Sequence, residues 1–312
     1  MTMLTEELLR RIGFEEPDIP YILACHRKYA PALASLAKDY TATFGGSERM
    51  PYPGDEREAA YTRAKQYAAA AIGLFPEEEN PHILNLLAWL QLIPWLRERY
   101  EAHGFSEQLL YAALRDLPEK VKECKSVYGQ CGVFSRWFFL FFDLKVFSFG
   151  RLHYEITSLE ADHCTVGGVS LQRGDPVLSV HIPARGKLTP EACKESLAQA
   201  YDFFRGLFPE TGLPIVCHSW LLYPPYRAEV FPPESNLSRF ADLFRVLYAD
   251  QVSPIFSDCW RVFGLMHEGS VKGFPADTRL RRNFLRYMEQ NGDHGCGYGI
   301  LLYDGKQKKI LL

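Results

Sequence analysis

Apolar residues recur at spacings of three and four through Leu4 to Ile12, Ile22 to Tyr40, Glu56 to Leu74, Ile83 to Tyr100 and Ser106 to Leu114. That period marks one face of a helix, so the chain up to about Phe142 predicts an all-helical domain. Its breaks fall at Phe44-Gly45-Gly46-Ser47 with Pro51 and Pro53, at Pro76 to Pro81, and at His103-Gly104, with Pro94 expected to kink the helix from Trp89 to Tyr100.

From Lys145 the pattern alternates. In VFSFGRLHYEITSLE, Leu152, Tyr154 and Ile156 fall on one face and His153, Glu155 and Thr157 on the other, which predicts the start of a sheet. Val166 to Leu171 and Val177 to Ile182 continue it, with a turn at Arg173-Gly174-Asp175-Pro176. Two strand-loop-helix units follow. In the first, VLSVHIP leads into a helix with Thr189 as N-cap, Pro190 at the first position and Glu191 beside it, and with Cys193, Leu197, Ala200 and Phe204 as its buried stripe. In the second, Leu213 to Leu222 is the strand, a Pro-rich loop follows, and Ser235 caps a helix sharing Leu237, Phe240, Phe244 and Leu247 on one face. Trp260 to Leu265 reads as a strand, Thr278 to Gln290 as a helix, and Ile300 to Leu312 as a hairpin turned at Asp304-Gly305. Gly292 to Gly299 reads as a helix stop and flexible strand entry.

The pattern thus gives an α+β or α/β chain, with a helical N-terminal domain over residues 1–143 and a mixed sheet flanked by helices over residues 144–312. A length of 312 residues fits two cores better than one. With 47% hydrophobic, 14% aromatic and 23% charged residues the composition is that of a folded globular protein. A formal net charge of −3 gives no general attraction to nucleic acid or to an anionic membrane, so an anionic ligand must meet a local cluster of cations. The eight cysteines form no C-x-x-C pair and no zinc spacing, and read as buried reduced thiols with no metal. MTMLTEELLRRIG lacks the basic start and apolar core of a secretory signal, which makes the cytoplasm the expected compartment. The run FSRWFFLFF falls far short of the roughly 20 apolar residues of a membrane span, and reads as a core element or an interdomain face.

Candidate chemistry collects at the ends of the two central strands. The loop from Ala184 to Thr189 sets Arg185 and Lys187 at a helix N-terminus, where backbone N–H groups and the helix dipole favour phosphate; a plain connection is the alternative, and Glu191 would complement the same dipole. His181 and Glu155 are candidate bases, whereas His218, sharing a face with Trp220, reads as packing. Cys217-His218-Ser219 makes a poor nucleophilic constellation, since strand neighbours point to opposite faces and no G-x-S-x-G elbow is present. Arg279, Arg281, Arg282 and Arg286 read as a solvated helix face.

GRLHYE at Gly150 to Glu155, HIPARGKLTPEACKESLAQAYDFF at His181 to Phe204, CHSWLL at Cys217 to Leu222, ESNLSRF at Glu234 to Phe240 and DTRLRR at Asp277 to Arg282 stand in an order that resembles a bacterial acyltransferase family. That family joins a helical N-acyltransferase N-terminal domain to a GNAT-like C-terminal domain. The resemblance implies two central parallel strands that splay, with the pantetheine arm of acyl-CoA lying against exposed backbone of the first. Val180, His181 and Ile182 would be that rail, Arg185, Gly186, Lys187 and Thr189 the pyrophosphate loop, and Ser219 with Trp220 to Tyr223 the opposite wall. The chain departs from the family pattern in having a single glycine in RGKLTP and His153 where the family favours Gln.

The function so implied is a direct attack of a small amine on the acyl-CoA thioester, with His181 or Glu155 as base and Tyr223 as an optional acid. Two other readings stand beside it: a non-catalytic acyl-CoA or nucleotide sensor using the same loop, and a hydrolase using Cys217 or Ser219. The helical domain is expected to roof the acceptor pocket, although a homodimer contact would explain the aromatic stretch from Phe134 to Phe149 equally well.

Overall fold

The computed structural model describes residues 4–43, 57–135, 137, 139–208, 212–290 and 292–312. The break from Phe44 to Pro53 lies outside them. The described residues form two compact units, one up to Phe147 and the other from Ser148 onward.

The first unit is helical, as its periodicity predicts: α1 (Glu6–Ile12), α2 (Ile19–Ala42), α3 (Arg57–Gly73), α4 (Pro81–Gln91), α5 (Ile93–Ala102), α6 (Glu107–Leu114), α7 (Asp116–Tyr128) and α8 (Phe139–Phe142). Pro94 does more than kink a helix. The chain breaks at Leu92, and Pro94 opens α5 in the first turn, where its missing N–H costs nothing. The core gathers around Trp89, fully buried against the rings of Tyr40, Tyr67 and Phe142. Its indole N–H donates to the Asn85 side chain at 3.0 Å, and Asn85 donates in turn to the Val133 carbonyl at 2.7 Å, so both of these buried polar side chains are partnered.

The second unit holds β1 (Val146–Phe149, which begins two residues earlier), β2 (Leu152–Ser158), β3 (His163–Val166), β4 (Val169–Gln172), β5 (Pro176–His181), α9 (Pro190–Phe204), β6 (Leu213–Ser219), a 3-10 turn over Trp220–Leu222, α10 (Pro224–Glu229), α11 (Asn236–Ala241), β7 (Arg245–Ser253), α12 (Cys259–Phe263), α13 (Arg279–Gln290), β8 (His294–Asp304) and β9 (Lys309–Leu311). The sheet runs β1-β2-β5-β6-β8-β7, with β9 also on β8. β5 and β6 run parallel, while β2 with β5, β6 with β8 and β7 with β8 are antiparallel.

α9 starts as its sequence dictates, with Thr189 accepting from the Ala192 N–H at 3.2 Å and Pro190 in the first turn, and it buries Cys193, Leu197, Ala200 and Phe204. Ser196 ties it to the sheet: its hydroxyl accepts from the Leu152 N–H at 3.2 Å, lies 3.0 Å from the Tyr154 hydroxyl and donates to the Phe149 carbonyl. Tyr154 stands opposite Val180, so that face of the sheet lies under α9. On the other face Val177, Val216, Ile300 and Leu302 are buried by Cys164, Val166 and Leu171. Those three residues come from the separate β3-β4 hairpin, not from a continuation of the main sheet as the alternation predicts.

Three further expectations change. The helix after Ser235 stops at Ala241, and Leu247 sits in β7, where Arg245 to Ser253 pairs with β8. Trp260 to Leu265 is not a strand; Cys259–Phe263 makes a single helical turn closed by Gly264 at φ 70°. Gly295, Gly297 and Gly299 lie inside β8, where they give close approach and not flexibility. A Cβ on Gly297 would lie 2.2 Å from the Leu222 carbonyl oxygen, and one on Gly295 2.7 Å from the Tyr223 ring. The glycines let the segment from Trp220 to Tyr223 lie directly on the strand.

Candidate functional site

β5 and β6 pair through Leu178 with Ile215 and Ser179 with Val216. Beyond these two pairs no ladder joins them, although β5 runs on to His181 and β6 to Ser219. Val180 remains paired on its other edge with Tyr154, and His181 with His153. The strands therefore separate at their C-terminal ends, where open α/β sheets take ligands.

At the first lip, His181 Nε2 lies 2.7 Å from Glu155 Oε2. The register places Glu155 opposite Ser179, one diagonal step from His181 on the same face, so alternation brings the two together. The Glu155 side chain is 2% exposed and that of His181 28%. A carboxylate only accepts, so Nε2 of the neutral ring carries the hydrogen and Nδ1 keeps its lone pair.

The loop leaving this lip is strapped from below. Arg151 donates to the carbonyls of Pro183 at 2.9 Å and Lys187 at 3.3 Å, and Arg185 donates to the Gly150 carbonyl at 3.3 Å. Gly186 takes φ +70° with nothing within 4 Å of a would-be Cβ, while Lys187 is exposed. An anion at this bend would meet Lys187 and the start of α9, with Glu191 also in that first turn.

On the opposite wall, the Ser219 hydroxyl accepts from the Leu221 N–H at 3.2 Å, and Trp220 packs edge-on against Tyr226, Phe231, Phe256 and Phe284. Tyr223 is 6% exposed and stacks edge-on with Tyr226 at 5.0 Å. Burial, then the nearby Asp293, pushes its hydroxyl above the ordinary tyrosine value, against a hydrogen bond with Tyr287. Tyr223 thus keeps its proton at neutral pH.

Cys217 is fully buried, and burial raises its thiol far above the ordinary value. It sits one residue out of step with His218, on the α9 side of β6. Both observations count against a thiolate nucleophile. All eight cysteines are free, with Cys124, Cys164, Cys193, Cys217 and Cys259 buried. Among the described residues no group of three His, Cys, Asp or Glu side chains could hold a metal ion, and no helix is long and apolar enough to cross a membrane.

One pairing escapes sequence reasoning. His218 Nε2 lies 2.7 Å from Asp250 Oδ1, so His218 is half-buried and partnered rather than simply packed. Asp250 sits in β7, the strand that helix-like spacing conceals.

Two central strands splayed beside a helix N-terminus define a GNAT-like acyltransferase fold. The chain belongs to the family with a GNAT-like C-terminal domain, whose family model matches residues 146–301, half of the chain; that of the N-acyltransferase N-terminal domain matches residues 3–144. Family membership makes it an acyl-CoA-dependent N-acyltransferase of the GNAT-like kind. Its fold is similar to that of an acyltransferase solved in complex with decanoyl-CoA and teicoplanin, at 21% identity, TM-score 0.66, and 94% coverage of this chain and 86% of that one. An acyltransferase solved with CoA and 10C-Teicoplanin matches at 20% identity and TM-score 0.66, and one solved with decanoyl-CoA at 21% and 0.62, with the same coverages of 94% and 86%. No curated protein matches the sequence.

Proposed function

We propose that the gap between β5 and β6 takes the thioester arm of acyl-CoA and that His181, held by Glu155, is the base that frees an acceptor amine for direct attack. The observation that carries this reading is the ladder ending at Ser179 and Val216, with the His181–Glu155 pair at its lip. Val180, His181 and Ile182 form the backbone rail, one of whose N–H groups stabilises the tetrahedral oxyanion. Arg185, Gly186, Lys187 and Thr189 meet the pyrophosphate, and Ser219 and Trp220 form the far wall. The acceptor ammonium loses one proton to Nδ1 of His181, the freed amine bonds to the thioester carbon, and as the C–S bond breaks the nitrogen gives up its second proton to solvent while CoA leaves as the thiolate. A CoA thiolate of pKa near about 8.5 is a good leaving group, so a proton from Tyr223 assists without being indispensable. The similar acyltransferases solved with decanoyl-CoA support a medium-chain acyl donor. The proposed compartment is the cytoplasm, of a bacterium, and the proposed domain division lies between residues 143 and 144.

The test is release of free thiol from octanoyl-CoA in the presence of a panel of amines. His181→Asn is expected to lower kcat about 100-fold or more with little change in the thermal shift given by CoA. A Tyr223→Phe variant is expected to lose only a few-fold; full kcat at its pH optimum removes that residue from the mechanism. CoA binding with no thiol release from any amine would favour the sensor reading instead.

A further inference from the structure

His181 is matched by a second imidazole across the gap. The register of β5 with β6 puts Ser179 and Val216 on one face, and two residues further along each strand His181 and His218 follow on that same face. Each ring is held through Nε2 by a carboxylate on its outer side, at 2.7 Å from Glu155 and 2.7 Å from Asp250. The order across the face is thus carboxylate, imidazole, gap, imidazole, carboxylate.

The two arms differ in what surrounds them. Glu155 is buried, whereas the Asp250 side chain is 39% exposed and that of His218 27%. Beyond His218 the face continues through Tyr298, whose ring lies 6.0 Å from His218 and is stacked at 5.0 Å on Tyr248. The Tyr298 hydroxyl accepts from the Glu160 N–H at 3.2 Å. Tyr248 and Glu160 then line a cavity of about 590 Å³ together with Asp162, His163 and Arg173. Glu160 and Asp250 bring two carboxylates near Tyr248 against one guanidinium, that of Arg173, which is paired with Asp162 at 2.7 Å. An amine acceptor arrives at neutral pH as an ammonium, and this surface offers it a lone pair, aromatic faces and carboxylates.

We propose that His218, positioned by Asp250, binds the acceptor's ammonium through Nδ1, and that the adjoining cavity at Tyr248 and Glu160 holds the rest of a cationic acceptor. The inference rests on the acyltransferase reading and divides its labour: the β5 arm serves the chemistry and the β6 arm the choice of acceptor.

The test uses the full chain, with tyramine, glucosamine and spermidine as probe amines titrated calorimetrically into CoA-saturated protein and then used as acceptors for octanoyl-CoA. At least one is expected to bind. Asp250→Asn and His218→Gln are expected to weaken that amine about ten-fold or more and to raise its KM alike, with the KM for octanoyl-CoA and the CoA thermal shift unchanged. Asp250→Glu, which keeps the charge, is expected to recover part of the loss. Should Asp250→Asn fail to fold, the exposed Glu160→Gln substitution is the arm that reads amine affinity. Failure of all three amines to bind, or an affinity unmoved by every variant, overturns the inference while leaving the transferase reading intact. Absence of any CoA shift in the unsubstituted protein overturns the transferase reading, and this one with it.

Discussion

His294 shows how much a single buried ring can commit. It is 2% exposed, bonded through Nδ1 to the Tyr226 hydroxyl at 2.7 Å and stacked on Phe256, and burial with the neighbouring His267 lowers its pKa from 6.5 to about 4. Above the unfolded value the ring is neutral in both states and its stabilising contribution is whole. As pH falls from 6.5 towards 4 the unfolded chain takes up a proton that the folded chain refuses, so that contribution drains away, by about 3 kcal/mol at most. Urea midpoints of His294→Gln and of the unsubstituted protein are therefore expected to converge across that window. At the site, His181 and Glu155 were each readable as candidates from strand alternation and position at a strand end, but their contact, across 26 positions, needed the β2–β5 register. The His218–Asp250 pair was hidden altogether, because its members stand 32 positions apart and meet only when β7 joins the sheet.

At the level of elements, the sequence was plainest where local chemistry and tertiary need agree, as at α9 with its Thr189 cap and Pro190. It misled where one spacing fits two structures. Leu237, Phe240, Phe244 and Leu247 suit a helix face, yet β8 offers an edge that Arg245 to Ser253 can pair with, and tertiary pairing overrides the period. The glycines of β8 were likewise opaque, since what they accommodate, the turn from Trp220 to Leu222, comes from far away in the chain. Gly297→Ala is expected to cost more than about 2 kcal/mol, because its methyl would meet backbone that cannot step aside. Gly186→Ala, in open space at φ +70°, should cost only about 1 kcal/mol of backbone strain. Thermal melts of the two variants side by side check that order.

For the molecule as a whole, the change from helical period to alternation near Lys145 announced the architecture, and the splay of the central strands was implied by resemblance, but the sheet order needed the structure, since pairing partners are not written in any one segment. A ligand that binds the folded state alone raises stability by about 2.7 kcal/mol at one hundred times its Kd. Saturating CoA is expected to raise Tm by a few degrees, and Lys187→Ala to shrink that rise without altering the unliganded Tm.

The ladder that ends after Ser179 and Val216 also has a bearing on handling. Past that point the facing edges of the two strands carry no ladder, an internal counterpart of a sheet's outer margin. A stray extended segment from a crowded neighbour could zip into such a slot. Light scattering of concentrated samples on standing is therefore expected to climb more slowly when CoA is kept in the buffer.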